Sequence, residues 1–97
     1  MALVVCNSFF RDRVMKILNE NGIDYFTSWD NAKGKGHATE PHFGSGAYPS
    51  TISVTMIAFE DDAPLEALIR GINTANQEIP RAADHIRLFQ WPLERIV

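Results

Sequence analysis

The residues best suited to chemistry are concentrated in one stretch. Between Asp30 and Ser50 lie four glycines, two prolines and two of the three histidines. His37 and His42, with Glu40 between them, combine imidazole and carboxylate, the donor types that hold zinc or copper. No HExxH pair and no cysteine pair accompanies them, so a divalent metal on His37 and His42 is the alternative reading. The glycines at 34, 36, 44 and 46 can turn backbone amides toward an anion, and Lys33 and Lys35 flank the first two. The run AKGKGH lacks the full phosphate-loop spacing and the Ser or Thr that should follow the lysine. It is therefore a partial anion signal.

Nucleophilic or acid–base chemistry has less to build on. Ser45, Ser50 and Cys6 are the available nucleophiles, and nothing in their local sequence marks a base beside them. Glu60, Asp61 and Asp62 read as a solvated turn. We expect a protein that is not an enzyme. A net charge of -3 with no concentrated basic patch argues against nucleic-acid binding. The single cysteine allows no internal disulfide, which fits a reducing compartment. No apolar run reaches the 18 or so residues of a membrane span, and no basic leader precedes an apolar stretch. The expectation is a soluble cytoplasmic chain with no membrane insertion.

Elements must position these residues, and the hydrophobic spacing defines them. Residues 2 to 6 are continuously apolar and read as a strand buried on both faces. Ser8 can cap a helix from Phe9 to Asn21, in which Phe10, Val14, Ile17 and Leu18 share one face while Arg11, Asp12, Lys16 and Glu20 take the wet side. Asn21-Gly22 supplies a left-handed stop. A second strand is expected over Ile23 to Trp29. The 30–50 stretch then loses all periodicity and reads as a long flexible loop. The third strand spans Thr51 to Glu60, with Ile52, Val54, Met56 and Ala58 as its main apolar row and Ile57 and Phe59 opposite. A second helix, with Asp62 as its cap and Pro64 in its first turn, runs to about Asn76. Its internal Gly71 suggests a close approach to the sheet. The last strand is His85 to Trp91, and Pro92 ends it.

The order is βαββαβ, an α+β ferredoxin-like sandwich formed by one domain over residues 1–97. Two helices in this topology share one sheet face. The other face should be polar if it meets water, yet Ile57, Phe59 and Trp91 are left over on that reading. Self-association is the simplest way to bury them.

With this topology, Lys35-Gly36-His37 resembles the opening of the T-loop in the nitrogen-regulatory PII-like superfamily, where that loop also joins the second and third strands. The stretch from Ile52 to Asp62 is similar to the family's third strand and its acidic ending, and Ile86 to Val97 to its last strand. The resemblance covers the whole chain and implies a homotrimer. It also implies a small effector, an adenine nucleotide or another anion, held in the clefts between subunits. By the same resemblance, Lys33, Gly34, Lys35, Gly36 and His37 form the effector end of the loop. The tip, with Pro41, His42, Phe43 and Tyr48, docks an enzyme, transporter or regulator. Typical members carry a loop rich in glycine and lysine before the last strand. Asn76 to Asp84 has neither residue, and the expectation is that the basic tail of typical members is missing too. Arg81 and Arg87 are then the substitutes for phosphate contacts, and ATP should bind weakly or not at all.

Overall fold

A computed structural model describes residues 1–34 and 51–97. Four strands, β1 (Ala2–Asn7), β2 (Thr27–Ala32), β3 (Ile52–Ile57) and β4 (Arg87–Gln90), form one antiparallel sheet in the order β2-β3-β1-β4. Two helices, α1 (Arg11–Glu20) and α2 (Asp62–Gln77), cover one face. This is the expected ferredoxin-like α+β fold, with the ends of β2 and the start of β3 at the same end of the sheet as the turn into α1.

The core follows from the helical spacing. Val14, Ile17 and Leu18 of α1 and Leu65, Leu68, Ile72 and Ala75 of α2 are buried. They meet Ala2, Val4 and Cys6 of β1 and Ile57 of β3. Gly71 does serve a close approach, but to the other helix: a Cβ there would stand 2.6 Å from Ile17 Cγ2. Gly22, at φ +67, ends the first helical segment as its position predicts. Asn76 pins the last strand to α2, its amide donating to Ile86 O at 2.9 Å and accepting from Ile86 N at 2.8 Å.

Several boundaries differ from the sequence reading. Ser8 to Phe10 form a 3₁₀ turn whose cap is Asn7, with Phe9 N donating to Asn7 Oδ1 at 2.9 Å; the Ser8 hydroxyl instead meets Thr51 Oγ1 at 2.8 Å. Asp61, without a side-chain capping bond, precedes α2 where Asp62 is expected as the cap. Ile23 is no strand residue but a core plug beneath α1, and β2 begins four residues later and continues through Asp30 and Asn31 to Ala32. The loop expected from residue 30 therefore starts after Ala32, and its portion 35–50 lies outside the described residues.

The faces of β3 are the main correction. Ser53, Thr55 and Ile57 point to the helices, while Ile52, Val54 and Met56 point the other way and are only half-buried. Phe59 packs against the core as well. The apolar row expected to fill the core thus lines the open face, and Ile57 and Phe59, expected there, are inside. β1 also alternates, with Leu3 and Val5 on the open face rather than buried on both sides. Cross-strand pairing gives two open-face rows, Thr27-Met56-Leu3-Phe89 and Trp29-Val54-Val5-Arg87. Phe89 and Trp29 remain 54% and 49% exposed in the single chain.

Candidate functional site

Among the described residues, the effector residues expected at one cleft fall on opposite edges of this sheet. Lys33 and Gly34 follow β2, one edge strand. Arg81 and Arg87 flank the turn into β4, the other edge strand. With neighbouring strands about 4.8 Å apart, the two edges of a four-stranded sheet stand roughly 14 Å apart. Within one chain these cations do not converge.

Each is held differently. Lys33 is exposed. Gly34 is half-buried against β3, where a Cβ would meet Ile52 Cδ1 at 3.0 Å, so its lack of a side chain lets the strand leave the sheet closely packed. Arg81 Nε lies 3.7 Å from Asp84 Oδ2, and Arg87 Nη2 is 3.5 Å from Ala82 O. Both arginines thus gather on the short 3₁₀ turn Ala82–Asp84, which stands where a glycine-rich loop was missing from the sequence. His85 is a structural residue, its Nε2 2.9 Å from Ile79 O. Lys35, Gly36 and His37 and the tip residues Pro41, His42, Phe43 and Tyr48 lie outside the described residues. Among the described residues no group of three or more His, Cys, Asp or Glu side chains could hold a metal ion. No helix among them is long and apolar enough to cross a membrane.

A polar network at the root of the loop was not foreseen. Asp30 and Asn31 together face Ser53, because the pairing shifts between Trp29↔Val54 and Ala32↔Ile52. This bulge turns Asp30 toward α1, where its Oδ1 accepts from Arg11 Nε at 2.9 Å and from Ser53 Oγ at 3.3 Å. Asn31 takes φ +60, a left-handed conformation that Asn tolerates better than most residues, and its Oδ1 accepts from Thr51 Oγ1 at 3.2 Å. Arg11, expected on the wet face of the helix, is instead folded onto β2. Beneath it, burial pushes the Cys6 thiol up to about 11, with Arg11 drawing it down and Asp30 adding to the rise. The sequence signal was the Asp-Asn pair after a strand-like alternation, a combination that favours turns and left-handed backbone.

The far end of the sheet holds a cavity of about 520 Å³ walled by Tyr25, Phe59, Leu93 and Ile96, with Glu60 and Asp61 also on its lining. Tyr25 and Phe59 meet edge to face at 6.0 Å. Both aromatics lie in stretches that the sequence marks only as strands. Their separation of more than thirty positions leaves nothing local to connect them.

No protein-family model matches the sequence. No curated protein matches it either. Solved structures do. One is CPII, a nitrogen regulatory PII-like protein from Thiomonas intermedia K12, bound to ADP, AMP and bicarbonate. It matches at TM-score 0.63 and 14% identity, over 91% of this chain and 81% of that one. CPII bound to ADP and bicarbonate matches at TM-score 0.65 and 16% identity, over 91% of this chain and 78% of the other. The architecture resembled by the loop opening and the third strand is therefore the one this chain adopts: it has the PII-like fold.

Proposed function

We propose that this protein is a ligand-responsive signalling adaptor, not an enzyme. It works as a homotrimer, binds a small anionic effector between subunits and regulates a partner enzyme, transporter or regulator through the loop after β2. The observation that carries this reading is the strand order. Lys33 and the Arg81–Arg87 pair sit on opposite edges, so a site that uses both is complete only when the β2 edge of one copy meets the β4 edge of the next. Such a head-to-tail contact closes into a ring when the rotation between copies permits. The half-buried apolar rows on the open face give the copies a surface to bury.

CPII, with which the chain shares its fold, is bound to ADP, AMP and bicarbonate. These supply the effector classes to test: an adenine nucleotide, a small oxyanion, or both. The few cations present suit a di- or monophosphate or bicarbonate better than a triphosphate, because each added phosphate needs further charge-assisted contacts. The aromatic cavity is a second candidate contact, since Tyr25 and Phe59 offer surfaces on which a flat heterocycle can pack.

Sedimentation and calorimetry test the reading together. A trimer that binds ADP or bicarbonate is expected. Lys33→Ala and Arg81→Ala should each weaken binding by about three- to tenfold through loss of one charged contact. A single-chain species at micromolar concentration, or no heat with ADP, AMP or bicarbonate, would remove the proposal. Unchanged affinity in both variants with loss in Tyr25→Ala would move the site to the aromatic cavity.

A further inference from the structure

At the root of the loop the cation Arg11 is engaged by a carboxylate belonging to the loop's own stem. Its guanidinium donates through Nε to Asp30, and Nη1 lies 3.6 Å from Asp12. The side chain is 37% exposed, so part of it meets solvent. A guanidinium presents five donors in a planar fork matched to oxyanions. Asp30 reaches it only because of the bulge at Asp30-Asn31. That bulge is maintained by a left-handed Asn31 and by the hydroxyl chain Ser8–Thr51–Asn31. Bulges and sparsely populated backbone conformations persist where surrounding contacts over-determine them, and they concentrate near functional sites and switches.

Resting on the regulatory reading above, we propose that Arg11 is shared between two anions: the Asp30 carboxylate when no effector is bound, and the oxyanion of the effector when it is. The exchange needs no chemistry beyond a change of ion-pair partner. An effector oxyanion arriving at the β2 end competes with Asp30 for the guanidinium. Released, Asp30 keeps the Ser53 hydroxyl among the described residues, and the bulge loses its ion pair with α1. The first residues of the loop leave from this bulge, so the change is passed to the loop at its root. Asp30 thereby acts as an internal competitor that lowers effector affinity, and Arg11 as the residue that links occupancy to loop geometry. Arg11 is thereby a binding residue for the effector, and Asp30 a positioning residue that acts through it.

The two halves of an ordinary structural ion pair behave alike when removed: both losses loosen the site. Sharing predicts opposite signs. ADP and, separately, bicarbonate are titrated into the full chain as wild type, Arg11→Gln, Asp30→Asn and the double variant, with thermal melts to establish that each folds. Arg11→Lys, which keeps the charge and loses the fork, replaces any Arg11 variant that does not melt cooperatively. We expect Arg11→Gln to weaken binding about tenfold and Asp30→Asn to tighten it about three- to tenfold. The double variant should match Arg11→Gln, because Asp30 competes only through Arg11. Amides of Asn31 and Ala32 should exchange faster in the ligand-bound wild type than in the free protein.

If Asp30→Asn still tightens binding with Arg11 absent, Asp30 merely repels anions at a distance and sharing is overturned. Weakening in both single variants overturns it as well and leaves the regulatory reading intact. Absence of binding by wild type refutes the regulatory reading itself. An Arg11 Nε–H nuclear magnetic resonance signal that then ignores both anions refutes the sharing too.

Discussion

The two faces of the sheet invert the usual relation between hydrophobicity and burial. On β3 the row sealed under the helices is Ser53, Thr55 and Ile57, while the row left half-wet is Ile52, Val54 and Met56. Ser53 and Thr55 are 2% and 1% exposed, and each reaches a polar partner on β2: Asp30 for Ser53, and Ser28 Oγ, 3.5 Å away, for Thr55. A small hydroxyl with a partner can be buried at little cost. Three aliphatic side chains facing water gain nothing by it. The difference teaches that the covered face is a finished core, whereas the open face keeps apolar side chains half-exposed. In the function proposed above, a second copy would bury them.

Substitutions that treat the faces unequally can break this comparison. The largest effect is expected from Val54→Glu, which places a charge in the centre of the open face between Trp29 and Val5. It should raise the dissociation constant of the assembly by more than about a hundredfold, since an unpaired charge buried between subunits costs several kcal/mol. Sedimentation should then find the single-chain species, still folded by circular dichroism. A Val54→Glu protein that assembles normally would mean that the open face is not the contact.

The next effect separates burial by the chain itself from burial by a neighbour. Ile57→Ala, at a position 1% exposed, should cost about 2–5 kcal/mol at every protein concentration, as expected for a buried large-to-small change. Met56→Ala, its neighbour on the open face, should cost less in dilute protein and more as concentration rises. Urea unfolding at two concentrations reads both. Equal, concentration-independent losses would erase the distinction between the faces.

The helices that finish the covered face can be probed at their crossing. Gly71→Ala adds a methyl 2.6 Å from Ile17 Cγ2. Overpacking should outweigh the helix-propensity gain of about 1 kcal/mol and leave a net loss on the order of 1–2 kcal/mol. Combining it with Ile17→Ala should recover part of that loss relative to the sum of the two single changes. Strict additivity would show that the contact is not limiting.

The covered face also carries a pH signature. Cys6 is 5% exposed, and its thiol is raised from 9.0 to about 11, chiefly by burial. Between those values the unfolded thiol has lost its proton and the folded one has not, so stability falls as pH rises from about 9. The loss approaches about 2 kcal/mol near pH 11. Melting of wild type against Cys6→Ala should converge as the pH rises, because only the wild type carries this dependence. Parallel curves would show that the thiol is not desolvated.

Much of this was legible in the chain because it depends on neighbours in sequence. The i, i+3, i+4 spacing of Val14, Ile17 and Leu18 and of Leu65, Leu68 and Ile72 marked the buried helix faces. Gly22 marked the end of the first helical segment, and the order of strands and helices marked the ferredoxin-like fold. The loop opening at Lys35-Gly36-His37 pointed to the PII-like resemblance, which the shared fold supports. Alternation along β3 correctly grouped Ile52, Val54 and Met56 on one face.

Only the tertiary structure decided which way that face points, because a period of two does not say which side the helices cover. Two small hydroxyls, Ser53 and Thr55, took the interior, where packing against the helices and polar partners on β2 suited them better than their hydropathy suggests. The start of β2 was likewise a tertiary matter: Ile23 is apolar enough for a strand, but the core beneath α1 had room for it and the sheet edge did not need it. Arg11 and Asp30 are 19 positions apart, and no local rule joins a helix cation to a strand carboxylate. Their pairing required a bulge that re-aims one side chain across the end of the sheet, and the same folding placed Lys33 and Arg87 on opposite edges. Sequence spacing determines which residues share an element; only packing determines which elements, and which copies, bring them together.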